Sequence, residues 1–128
     1  MRALERLTGT RIVSTPAAIE SAMWPKDARV FPLAPDEVFV DAAIDASRID
    51  DLDAIVVRET GFSGVWVERA TALDFLQREC DWKLPAHSES VFAQGLVAGL
   101  PVKVWFEADR VLFFVASPLA QDFMERLR

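Results

Sequence analysis

Apolar and polar residues alternate with a period of two along much of this chain, and that pattern predicts strands before anything else. In "VKVWFE", Val102, Val104 and Phe106 share one face, while Lys103, Trp105 and Glu107 share the other. Val111 to Ala116 are apolar on both faces, which predicts a central strand. Phe92 to Val97 read as one strand; Gly99 and Pro101 then mark a bend or bulge, and "ADR" a turn. Upstream, Val30, Phe31 and Leu33 predict a strand that Pro32 confines to a sheet edge. The turn "APDE" leads to a return strand at Val38, Phe39 and Val40. In "DAIVVRETGFSGVWVER", Ala54, Val56 and Arg58 alternate with Ile55, Val57 and Glu59, and Val65 and Val67 alternate with Trp66 and Glu68. The stretch reads as a hairpin bent at "TGFSG", where Gly61 and Gly64 can take positive φ.

Two segments change period. In "TALDFLQREC", Leu73, Leu76 and Cys80 fall on one helical stripe with Ala72 and Phe75 beside it, and Thr71 with Asp74 three residues on reads as a helix start. Near the end, Ser117 reads as a cap with Pro118 at the first helical position, and Leu119, Phe123 and Leu127 line one side. The two main helices are thus expected at about 71–80 and 118–127. "DASRIDDLD" reads as a turn of helix or a loop, and "DWKLPAHSES" as a loop closed by Pro85. Residues 1–23 are the least regular: Leu4, Leu7 and Ile12 make a short apolar face that Gly9 interrupts. The expected organisation is an N-terminal arm over residues 1–23 and a single α+β domain over 24–128, with an antiparallel or mixed sheet and helices on one side.

Composition adds a surplus. Of the 128 residues, 52% are apolar before glycine is counted, above the ~45–50% usual for soluble domains with glycine included. A domain this small leaves part of that surface for a partner. A net charge of −6 argues against nucleic acid, whose phosphates need basic patches. No stretch approaches the ~20 apolar residues of a membrane span, and the start lacks the apolar run of a signal peptide. The expectation is a reduced cytoplasmic protein that binds neither nucleic acid nor membrane.

Candidate chemistry is sparse. Cys80 is the one cysteine and His87 the one histidine, so neither an intramolecular disulfide nor a Cys- or His-rich metal site can form within the chain. Cys80, on an apolar helical stripe, reads as a small buried hydrophobe rather than a nucleophile. His87 lies in a polar loop beside Ser88, and adjacent residues on one loop do not readily face each other as a triad. "GFSG" at 61–64 lacks the glycine spacing of a dinucleotide loop and the lysine of a P-loop. Asp45, Asp50, Asp51 and Asp53 lack the glycine of a calcium loop and read as a solvated acidic loop. No cofactor is expected. The residues suited to an interface are aromatic: Trp24, Phe62, Trp82 and Trp105. Trp105 is expected on the sheet face away from the helices, and that face is expected to be covered by the arm or by another subunit.

Several stretches carry a family resemblance. "WPKDARVFPLAPDEVFV", "GVWVERATALDFLQREC", "CDWKLP", "FAQGLVAG" and the strand-to-helix step "VLFFVASPLAQDFMERL" together resemble the gamma subunit of heterotetrameric sarcosine oxidase. That subunit is similar in turn to the first domain of aminomethyltransferase, the tetrahydrofolate-dependent protein of glycine cleavage. The resemblance covers roughly residues 24–128 and leaves 1–23 outside. It implies an aminomethyltransferase-like fold and a non-catalytic accessory subunit of a folate-linked, flavin-dependent amine oxidase. Flavins, nicotinamide cofactor and folate would then belong mainly to other subunits, and the matched motifs carry over no catalytic residue. One alternative is a folate-like small-molecule binder or one-carbon-transfer protein with the related fold. Another is a stand-alone homo-oligomer of unknown role.

Overall fold

The computed structural model describes residues 4–80 and 91–127. They form an α+β protein of two antiparallel sheets, and contacts divide it into two compact units. One unit is Leu7–Thr60. The other combines residues before Leu7 with the chain from Gly61 onward. The division falls at Thr60, inside the stretch that reads as one hairpin.

Leu7–Thr60 contains β2 (Gly9–Val13), α1 (Pro16–Ser21), β3 (Val30–Ala34), β4 (Glu37–Val40) and β5 (Ile55–Glu59). The strands pair in the order β3-β4-β2-β5, all antiparallel. Residues 9–13, expected in an arm, thus form an interior strand. The physical reason is close approach: a Cβ on Gly9 would run into the Val40 carbonyl oxygen, so the glycine that breaks the apolar pattern is what lets β2 lie against β4. Thr10 fixes the far end of the sheet. Its buried hydroxyl donates to the Ala42 carbonyl at 2.7 Å and accepts from the Ile44 N–H at 3.0 Å. β3 is an edge strand, where Pro32 removes no needed donor. α1 begins as its sequence dictates, with the Thr15 hydroxyl accepting from the Ala18 N–H at 3.2 Å and proline in the first turn. Ala18, Ile44 and Ile49 pack with Ile12, Val38 and Val40, and Val56 and Trp24 lie against this core.

The second unit holds β1 (Glu5–Arg6), β6 (Phe62–Glu68), α2 (Arg69–Glu79), β7 (Val91–Val97), β8 (Leu100–Phe106), β9 (Arg110–Ala116) and α3 (Ala120–Leu127). Its strand order is β1-β6-β9-β8-β7, so the doubly apolar β9 is central. Register places Val65, Val67, Val102, Val104, Phe106, Val111, Phe113 and Val115 on one face. Both helices cover that face. Phe75 of α2 meets Phe113 edge-on at 5.7 Å and Phe123 of α3 at 6.1 Å, and Phe113 and Phe123 are 5.7 Å apart.

Both helices start differently from the sequence expectation. α2 begins at Arg69, two residues before Thr71, with no side-chain cap. The Asp109 carbonyl in the β8–β9 turn accepts from the Arg69 N–H at 3.0 Å, so a tertiary contact replaces the local one. A 3-10 turn, Ser117–Leu119, precedes α3, and Ser117 does not cap it. Its hydroxyl is 2.8 Å from that of Ser63, and its N–H donates to the Gly61 carbonyl at 2.8 Å. Gly64 lies within β6, where a Cβ would be only 3.1 Å from Phe114 Cβ and from the Phe113 carbonyl oxygen; close packing rather than a turn explains this glycine. The left-handed backbone falls instead at Ala98 (φ 51°) and Gly99 (φ 83°), the two-residue turn between β7 and β8. Arg126 of α3 ties this turn down by donating to the Ala98 carbonyl. No helix among the described residues is long and apolar enough to cross a membrane.

Candidate interaction surface

The aromatic residues singled out in the sequence lie in separate places. Trp24 follows α1 in the first unit and is half-buried against the Ile12–Val40 core. Its neighbour Met23 is exposed, and the Met23 carbonyl accepts from Arg48 at 2.9 Å. Trp82, His87 and Ser88 lie outside the described residues. Phe62 and Trp105 belong to the second unit, on the sheet face away from α2 and α3.

Register assigns that face Phe62, Trp66, Phe92, Lys103, Trp105, Leu112 and Phe114. Phe62 stands edge-on to Phe114 at 5.5 Å, and the Lys103 ammonium lies 5.2 Å from its ring centre. Trp105 is half-buried, as the alternation of "VKVWFE" implies. Its indole Nε1 donates to Glu107 Oε2 at 2.9 Å, and the other carboxylate oxygen accepts from Arg110 Nε at 3.2 Å. The Arg110 guanidinium in turn stacks over Trp66 at 3.7 Å. Glu107 therefore orients Trp105 and Arg110 together beside the β8–β9 turn.

Asp45 acts on its own loop, whereas Asp51 also ties that loop to Ser14. Asp45 accepts from the Ser47 N–H at 2.9 Å at the start of a 3-10 turn, Ala46–Arg48. Its bonds to Ser47 hold its carboxyl below the usual range, helped by Arg48. Asp51 accepts from the Ser14 hydroxyl at 2.6 Å and the Asp53 N–H at 2.9 Å, and those bonds lower its pKa too. No three His, Cys, Asp or Glu side chains among the described residues are grouped to hold a metal ion. Cys80 is half-buried at the end of α2 and packs against the second unit's core.

Neither a known family model nor a curated protein matches this chain.

The surface that sequence reasoning missed is β5. Among the described residues it ends the four-stranded sheet, and two of its apolar side chains point outward: Ile55 is 56% and Val57 48% exposed. Leu52, just before it, is fully exposed. The signal was present as an alternation in "AIVVRE", but a hairpin with 62–68 would have covered this edge. A pocket of about 240 Å³ opens nearby, lined by Thr8, Thr10, Ile44, Val56 and Arg58 among others. It is smaller than the ~300–1,000 Å³ of typical ligand sites.

Proposed function

We propose that this chain is a non-catalytic accessory subunit that binds another protein, in a folate-linked, flavin-dependent amine oxidase of the sarcosine oxidase kind. The observation that carries the partner-binding reading is the β5 edge. Leu52, Ile55 and Val57 expose apolar side chains beside a strand that ends its sheet, a combination that favours protein contact over water. The nature of the complex is supported by the order of elements after Thr60. Strand β6, helix α2, the β7–β8 hairpin, strand β9 and closing helix α3 follow the sequence stretches that resemble the gamma subunit. The half-buried aromatic face with Trp105 supplies further surface of the kind that interfaces use.

Co-expression with the flavin-bearing subunits of an amine oxidase from the same source tests this. The chain is expected to co-elute with them in size-exclusion chromatography at one fixed ratio. The double substitution Ile55→Glu, Val57→Glu is expected to release it while leaving its circular dichroism unchanged. Separate elution of the wild-type chain would overturn the reading.

A further inference from the structure

Three arginines of the Leu7–Thr60 unit are engaged: Arg11 pairs with Glu37, Arg29 with Asp41, and Arg48 donates to the Met23 carbonyl. The fourth, Arg58, makes no hydrogen bond or ion pair among the described residues.

Its position follows from the register of β5 on β2. Arg58 lies opposite Thr10 and Val56 opposite Ile12, so Arg58 shares the face of Val56, which packs on the Ile12–Val40 core. The charge stands where that core ends. The pocket of about 240 Å³ opens there, and Thr8, Thr10, Ala43, Ile44, Val56 and Arg58 line it. All six belong to one unit.

Hydrogen bonds hold this pocket in shape. The Thr10 hydroxyl donates to the Ala42 carbonyl at 2.7 Å and accepts from the Ile44 N–H at 3.0 Å, which fixes the segment carrying Ala43 and Ile44. Pairing with β2 from Ile55 to Glu59 fixes the strand carrying Val56 and Arg58. Thr10 has then spent its proton, which leaves Arg58 as the strong donor and the exposed Thr8 as a weaker one.

The lining selects a class of ligand. A guanidinium matches a carboxylate through two parallel hydrogen bonds. Arg58 is the one charged residue in the lining, so a monoanion is balanced there and a phosphate dianion is not. Ile44 and Val56 are aliphatic, and no aromatic ring lines the pocket. An apolar cavity of about 150 Å³ takes benzene, so this larger one has room for a carboxylate and a chain of about five carbons.

We propose that this pocket binds a small aliphatic monocarboxylate, with its carboxylate on Arg58 and its chain against Ile44 and Val56. The inference goes beyond the accessory-subunit reading and does not depend on it, since every lining residue belongs to this chain.

Amide chemical shifts of the full chain, followed by NMR during titration with hexanoate, test this. Saturable shifts are expected at residues 8–10, 43–44 and 56–58, with a Kd of about 1 mM or tighter. Hexanamide, which keeps the chain and loses the charge, is expected to bind about tenfold more weakly or worse. Acetate, which keeps the charge and loses the chain, is expected to do the same. Arg58→Gln is expected to weaken hexanoate about tenfold or more with an unchanged circular dichroism spectrum. Absence of saturable shifts up to about 10 mM hexanoate overturns the proposal: Arg58 then only extends its charge into water. Hexanamide or acetate binding as tightly as hexanoate overturns it too, as does Arg58→Gln binding as tightly as wild type. Should Arg58→Gln unfold, the three ligands on the wild-type chain still decide.

Discussion

The two units are built on one plan, an antiparallel sheet with helical segments on one face, but they are held together differently. The unit from Gly61 onward relies on aromatic packing. Phe75, Phe113 and Phe123 meet at 5.7–6.1 Å between two helices and a central strand that is apolar on both sides. The Leu7–Thr60 unit has a smaller core of Ile, Val and Ala side chains, one six-residue helix, and a single pair of buried rings, Phe31 and Phe39, stacked at 5.8 Å. Polar ties supplement it: Thr10 to Ala42 and Ile44, Ser14 to Asp51, and Arg29 to Asp41 through both main-chain and side-chain bonds. The contrast teaches that one chain can stabilise two sheets by different means. The seven-residue strands carry the three-ring aromatic cluster, and side-chain hydrogen bonds supplement apolar burial where the strands are four or five residues long.

The largest expected effect is in the aromatic core. Phe113→Ala removes a fully buried ring that touches both helices and is expected to cost about 3–5 kcal/mol, measured by urea unfolding. A loss below ~1 kcal/mol would show that the three rings are not what holds this unit.

In the smaller unit, Gly9→Ala is expected to cost about 1–3 kcal/mol. The added methyl group collides with the Val40 carbonyl and comes within 2.8 Å of the Phe39 ring, so β2 and β4 must separate. Amide exchange should rise in both strands. Thr10→Val tests the polar ties at nearly constant shape. It leaves the Ile44 N–H and Ala42 carbonyl without the hydroxyl, for about 1–3 kcal/mol. If Thr10→Val is neutral, the claimed reliance on hydrogen bonds fails.

The smallest effect is electrostatic. Asp51 has a folded pKa below its unfolded value of ~3.9, because Ser14, Asp53 and Thr15 donate to it. A lowered carboxylate contributes stability that is present above the unfolded pKa and is lost as pH falls through the folded one. Melting temperature measured against pH should therefore fall less steeply on acidification in Asp51→Asn than in wild type, over the range below about pH 4. Parallel curves would remove Asp51 from the account.

Periodicity revealed strands far better than it revealed their partners. The alternation of Val102, Val104 and Phe106, the doubly apolar run from Val111, the edge position set by Pro32 and the stripe through Phe123 all correspond to structure. The pairing of β5 does not. Residues 55–59 join β2, while 62–68 join β9 and β1, because alternation specifies which side chains share a face but not which strand lies alongside. The same limit hid β2, whose "GTRIV" alternates over few residues and begins with a glycine that only tertiary packing explains. It also hid β5 as an exposed edge, the surface on which the functional reading now rests.

That reading is tested most directly by amide hydrogen exchange of the chain alone and in the presence of the oxidase's flavin-bearing subunits. The expected result is slower exchange in residues 54–59 on mixing, with the buried strands β8 and β9 unchanged. A complex that leaves 54–59 exchanging as fast as in the free chain, or no complex at all, would contradict it.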